Sequence, residues 1–170
     1  MPSFYLNTYA PLAASKAGRE ASERYGIPPL VDGSIRREPD LEHEFPSISC
    51  LCRGGNFAPR LQRGDVVGYL TKKSRWGGSE SLYRLAAVLR VLESLPSHEA
   101  GAVWYRNRGL RLPSNCHVRG NEAKPFEHSH RIFRKASGCT SGASIRREWD
   151  SVYEYRAHEF PAFVVCEPLF

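Results

Sequence analysis

Residues 45–93 read FPSISCLCRGGNFAPRLQRGDVVGYLTKKSRWGGSESLYRLAAVLRVLE, and the order of apolar and turn residues in this stretch decides the fold class. Phe45 to Cys52 alternates Ile48, Cys50 and Cys52 against Ser47, Ser49 and Leu51, a period of two that predicts a largely buried strand. Gly64-Asp65 then turns the chain into Val66 to Thr71, where Gly68 marks a bulge or a close backbone approach. A Gly-rich loop from Lys72 to Ser81 leads into Leu82 to Leu92, whose β-branched and apolar content predicts a third strand. The remainder of the chain is expected to pack around these three.

Outward from this hub, Ser3 to Tyr9 is a short aromatic strand, and Pro11 opens a helix that stops at Gly26 before Pro28-Pro29. Its small residues Ala13, Ala14, Ala17 and Ala21 predict a face lying close on a sheet. Gly33 to Glu44 is polar and turn-rich, which predicts an excursion over the surface. Ser97 caps a helix closing at Gly109, with Val103 and Trp104 expected to face the sheet. The irregular, His- and Asn-rich run from Leu112 to Arg131 is a candidate functional segment. Lys135 to Ser144 reads as mobile, and Phe160 to Phe170 as a strand that closes the sheet.

A partial repeat runs through the chain. Ser34 to Glu38 (SIRRE) recurs as Ser144 to Glu148, and His43 to Pro46 (HEFP) as His158 to Pro161. Each copy leads to an apolar segment with a cysteine, Cys50 or Cys166, so the two are expected to be equivalent lead-ins to two strands of one sheet.

The chain has 170 residues, 41% of them hydrophobic and 25% charged, which suits one soluble domain able to bury its own core. No apolar run is long enough to cross a membrane and the N-terminus does not read as a secretory leader, so the expectation is a cytoplasmic protein without a membrane partner. Five cysteines without a leader read as reduced thiols. Of 24 basic residues 19 are Arg, and the charge is local: residues 45–92 carry a balance of +6, residues 1–44 one of −2. A planar guanidinium matches phosphate bidentately and stacks on bases, so this balance fits a nucleic-acid partner, as a GC-rich genome also would.

Two clusters invite metal or acid–base readings. Cys50 and Cys52, with Cys116, His117 and Cys139, could hold zinc, but a Cys-x-Cys pair lacks the knuckle spacing of zinc sites. His128 and His130, near Glu127 and His117, have no second carboxylate at helical spacing. The reading is therefore of no metal and no cofactor.

The order strand, helix, then strands around a Gly-Asp turn resembles the PUA-like superfamily, which includes the EVE, YTH and ASCH domains. Gln62 to Tyr69 resembles the glycine–aspartate step of these domains and Leu85 to Val91 the strand after it. Tyr5 to Pro11 is similar to the first strand of EVE domains, with Asn7-Thr8 where they carry Lys-Ser, and Ser49 to Arg53 is similar to bacterial nucleotide-modification-associated domains. The resemblance implies an α+β fold, a small mixed barrel flanked by two or three helices, over residues 1–170. It also implies a strand-end pocket for one extruded, modified base.

On that resemblance the pocket would be built from Asn7, Thr8 and Tyr9 and from Ser49, Cys50, Leu51 and Arg53, with Trp76 as a stacking wall and Asn115 offering its amide to a base edge. Tyr69 and Tyr83 read as core. The expected partner is nucleic acid carrying a modified base, with a protein partner from a modification or restriction system beside it, and no catalytic residues. Two alternatives stand next to this. One is an ASCH-like hydrolase or nuclease using Thr71, Lys72 and Glu80. The other is an interaction subunit whose basic surface meets an acidic protein.

Overall fold

A computed structural model describes residues 1–130 and 142–170, with side chains from 150 onward in the second span. Its elements are β1 (Phe4–Tyr9), α1 (Lys16–Tyr25), β2 (Ser47–Ser49), β3 (Val66–Thr71), β4 (Leu85–Leu95), α2 (His98–Arg106), α3 (Gly142–Glu159) and β5 (Phe163–Pro168). The strands form one sheet in the order β1-β3-β4-β5-β2, curled into a half-barrel. Only β1 and β3 run parallel, and the other neighbours are antiparallel. The class is α+β, with three α-helices among the described residues.

The strand sequences explain the order. In β5 the first four residues are all buried: Val164 and Cys166 join the cluster of Tyr9, Ile48, Tyr69 and Leu89, while Phe163 and Val165 join Trp104, Tyr105 and Ala102 beneath α2. A strand covered on both faces reads as a continuous apolar run, as F-V-V-C does, and belongs inside a sheet. Thus β5 does not close the sheet; the three-residue β2 lies outside it, at the edge. β2 is shorter than the alternation over 45–52 suggests, because the chain turns at Cys50 to Arg53 into a short 3-10 turn. Cys50 and Leu51 stay fully buried in that turn, so their apolar signal comes from packing and not from extension.

α2 is capped as expected, the Ser97 hydroxyl accepting from Ala100 N. Trp104 packs inward, whereas Val103 points to solvent. The helix lies so close on β5 that a Cβ on Gly101 would stand 2.6 Å from Cδ1 of Phe163. α1 ends at Gly26 in the left-handed region. Ala13 and Ala21 are buried, but α1 packs chiefly against the 3-10 turn at Leu12–Ala14 and then against the turn at Phe126–His128, with the sheet a lesser neighbour at most.

The largest departure is residues 32–40, which are interior and not a surface excursion. Arg36 and Arg37 are 2% and 0% exposed, among the most enclosed large side chains of the described residues. Every guanidinium arm is engaged. Arg36 forks onto Asp150, with Nε 2.7 Å from Oδ1, and its Nη1 donates to the carbonyls of Ser114 and Asn121. Arg37 pairs with Glu42 and donates to the carbonyls of Asp32, Ser34 and His128. Asp40 accepts from Ser114 N and its hydroxyl at 2.6 and 2.8 Å. Buried charge is tolerable only with such complete pairing, and here it ties the 111–130 segment and α3 to the loop.

The repeat does not produce equivalent structures. Residues 34–38 form a turn, residues 144–148 lie in α3, and β2 and β5 pair antiparallel, so their lead-ins approach from opposite ends of the sheet. The stretch 135–141, including Cys139, lies outside the described residues.

Candidate functional site

At the carboxyl ends of the parallel pair β1 and β3 opens a cavity of about 520 Å³. Thr8, Tyr9 and Ala10 come from the end of β1, Lys72 from the end of β3, and Cys52 and Arg53 from the turn after β2. The loop 32–38 contributes Asp32, Gly33, Ser34, Ile35 and Glu38. Phe126, Ser129 and His130 close a third side, and Val152, Tyr153 and Arg156 of α3 a fourth. Its volume falls in the ~300–1,000 Å³ range of small-molecule sites.

Two buried carboxyls and a cationic rim give the cavity its polarity. Glu38 Oε1 accepts from Ser49 N at 2.9 Å, and Oε2 from the Ser49 hydroxyl and from Asn115 Nδ2 at 3.0 Å. Asp32 Oδ1 takes the N–H groups of Ser34 and Glu38 and the Ser34 hydroxyl. Burial raises both carboxyls, Glu38 from 4.5 to about 7, despite these donors; the neighbouring Asp32 charge adds to the rise at Glu38. Burial, with the nearby Asp32 charge, also raises the Tyr9 phenol, whose hydroxyl donates to Leu30 O. On the rim, Arg53 donates to Thr8 O and Arg156 to Leu51 O at 2.6 Å, which fixes two cations beside Lys72.

The nine residues read from the sequence divide into four groups. Thr8, Tyr9 and Arg53 line the cavity. Asn7, Ser49 and Asn115 stand behind its wall: Asn7 Oδ1 accepts from Thr8 N at 2.9 Å, and Ser49 and Asn115 hold Glu38. The Asn115 amide is thus committed inside the protein, with Oδ1 accepting from the Ser47 hydroxyl. Cys50 and Leu51 are core. Trp76 stands apart from the lining, half-buried on the loop after β3 under Arg84, whose Cζ lies 5.8 Å from its ring centroid. Tyr69 is buried as expected; Tyr83 is exposed.

Asp32 and Glu38 escaped the sequence reading because an acidic, turn-rich segment looks solvated. The available signal was its density of both charge signs, Asp32, Arg36, Arg37, Glu38, Asp40 and Glu42 within eleven residues, without helical spacing. Such a run can satisfy itself internally.

Among the described residues no set of three or more His, Cys, Asp or Glu could hold a metal ion. Cys50, Cys116 and Cys166 are buried thiols raised by burial. His128 lies tilted against Tyr25 with ring centroids 4.5 Å apart and is not among the cavity's lining residues, whereas His130 is.

His98 and His117 line a second cavity of about 780 Å³ with Arg36, Asp150 and Glu154. His98 Nδ1 accepts from His117 N, which places its proton on Nε2, and burial lowers it to about 4, so it is neutral and a donor at that nitrogen.

No family model, curated protein or solved structure matched this chain. Among the described residues no helix is long and apolar enough to cross a membrane.

Proposed function

We propose that this is a PUA-like module that binds nucleic acid and holds one modified base, extruded from its strand, in the cavity between β1, β3 and α3. The observation that carries the reading is the pairing of a buried acidic floor with a cationic rim around one cavity of suitable size. A nucleotide has the same polarity, with ring N–H and amino donors at one end and phosphate at the other. Asp32 and Glu38 would accept from the base edge, Tyr9, Phe126 and Tyr153 would flank the ring, and Arg53, Lys72 and Arg156 would meet the phosphate. The DNA or RNA strand would reach the site from the basic side.

Val152 allows a direct test, since it lines the cavity yet is 47% exposed on α3. Val152→Trp is expected to fill the cavity with little effect on stability. Fluorescence anisotropy with oligonucleotides carrying 5-methylcytosine, N6-methyladenine or unmodified bases should show a modification preference in the wild type that the variant loses. Wild-type binding indifferent to every modification, or retained unchanged in the variant, would refute the base-pocket reading.

A hydrolytic reading draws on one observation as well: a carboxyl titrating near neutrality in a cleft is suited to general acid–base work. Of its expected participants only Lys72 lines the cavity. The Thr71 hydroxyl accepts from Arg84 N at 3.1 Å and Glu80 is exposed on the loop beyond. Mass spectrometry of nucleosides after incubation would separate the two, since turnover abolished by Glu38→Gln belongs to an enzyme alone.

A further inference from the structure

The segment between β3 and β4, residues 72–84, forms a hairpin that contributes to neither core cluster. Ser74 and Leu82 exchange backbone hydrogen bonds at 3.1 and 3.0 Å, and Gly77 turns the tip with φ +76°. Arg84 braces the hairpin from below. Its Nη1 donates to Ser74 O, its Nη2 to Trp76 O, and its guanidinium lies over the Trp76 ring. The base of the hairpin is tied to the cavity, because Lys72 N donates to Tyr9 O at 2.8 Å and the Lys72 side chain lines the opening.

This preformed arm holds Lys72, Lys73, Arg75 and Arg84 against Glu80, a balance of +3 in thirteen residues. Lys72, Lys73 and Arg75 are exposed, as are the large side chains of Leu82 and Tyr83. Cations in such a row beside exposed aromatic surface match a chain of phosphates carrying bases; a free nucleotide would need only the rim cations of the cavity.

We infer that the 72–84 hairpin grips the sugar–phosphate backbone flanking the nucleotide whose base enters the cavity, so that the partner is a polynucleotide strand and not a free nucleotide. This rests on the base-pocket reading. Lys73 and Arg75 contact phosphates on that strand, Trp76 and Tyr83 lie against its neighbouring bases, and Arg84 is a positioning residue.

The test uses the whole chain and the double variant Lys73→Glu/Arg75→Glu, whose exposed positions leave folding intact. One probe is a single-stranded DNA oligomer of about 16 nucleotides, the upper end of the site size of a small binding fold. The other is the set of four deoxynucleoside monophosphates with 5-methyl-dCMP and N6-methyl-dAMP, titrated by calorimetry. The double variant is expected to bind the oligomer at least about tenfold more weakly at low salt, with the slope of log affinity against log salt reduced by about 1.4, while monophosphate affinity is unchanged. Unchanged oligomer affinity and slope would overturn the inference, as would a wild type that binds monophosphates as tightly as the oligomer. Oligomer binding that needs Lys73 and Arg75 but survives Val152→Trp would instead remove the base pocket and leave the arm a plain backbone clamp.

Discussion

Replacing Glu38 by Gln tests the cavity floor without any ligand. In the unfolded chain this carboxyl titrates near 4.5, and in the fold burial moves it to about 7. Below about pH 4.5 both states carry the proton and Glu38 adds no pH dependence. Between the two values the unfolded chain has released the proton that the fold retains, so stability falls as pH rises. From about pH 5 to about pH 8 the loss attributable to Glu38 is about 2–3 kcal/mol. The amide of Glu38→Gln does not titrate. It keeps an oxygen for Ser49 N but sets an NH₂ against Asn115 Nδ2, a pH-independent cost of ~1–3 kcal/mol, so absolute stability is the wrong readout. The right one is a double difference from urea unfolding of both proteins at the two pH values, in which other titrating groups cancel. The wild type should lose about 2–3 kcal/mol more than the variant on going to the higher pH. Parallel pH profiles would mean that Glu38 ionises as a solvated carboxylate, and the desolvated acidic floor would have to be given up.

Three further substitutions probe the frame around the site. Asp150→Asn removes one half of the fork to buried Arg36 and should cost about 3 kcal/mol in denaturant unfolding, the low end for breaking a buried pair because Asp150 is one-fifth exposed; a loss under about 0.5 kcal/mol would mean that the pair is solvated. Gly101→Ala places a methyl 2.6 Å from the Phe163 ring and should destabilise by about 1–3 kcal/mol, with an accompanying Phe163→Leu expected to recover part of it. His98 is lowered to about 4, so the wild type should lose stability as pH falls from 6.5 towards 4, because the unfolded chain takes up the proton first. His98→Gln should lack that acid-side loss, and an identical profile for the two would show that the His98 ring is not buried as a neutral group.

The parts of the fold governed by local rules were legible from residue order. Val66–Thr71, the Ser97 cap, the stop at Gly26 and the strand expected over Leu82 to Leu92, which runs three residues later as Leu85–Leu95, all depend on side-chain alternation, a hydroxyl at an N-cap or a residue free to adopt positive φ. A small part of the cavity was legible for the same reason: Thr8 and Tyr9 stand at the end of β1 and Arg53 in the turn after β2, where the chain changes direction and side chains are displayed. Trp76, an aromatic in a basic loop, was visible as a surface feature, but its distance from the cavity follows from the course of the hairpin.

By itself, then, the sequence determined a basic, mixed α and β chain and the neighbourhoods in which its strands lie, since these follow from period, propensity and charge, while their ends were set by packing. Tertiary structure alone decided that residues 32–40 are interior. Arg36 and Arg37 are enclosed because Asp150 and the carbonyls of Ser114, Asn121 and His128, all distant in sequence, converge on them, and the local density of opposite charges that includes Glu42 does not record that convergence. The burial of this loop brings Asp32 to the chain just after β1 and Glu38 against Ser49 and Asn115, and removes both from water. It thereby turns a polar loop into the acidic floor of the cavity.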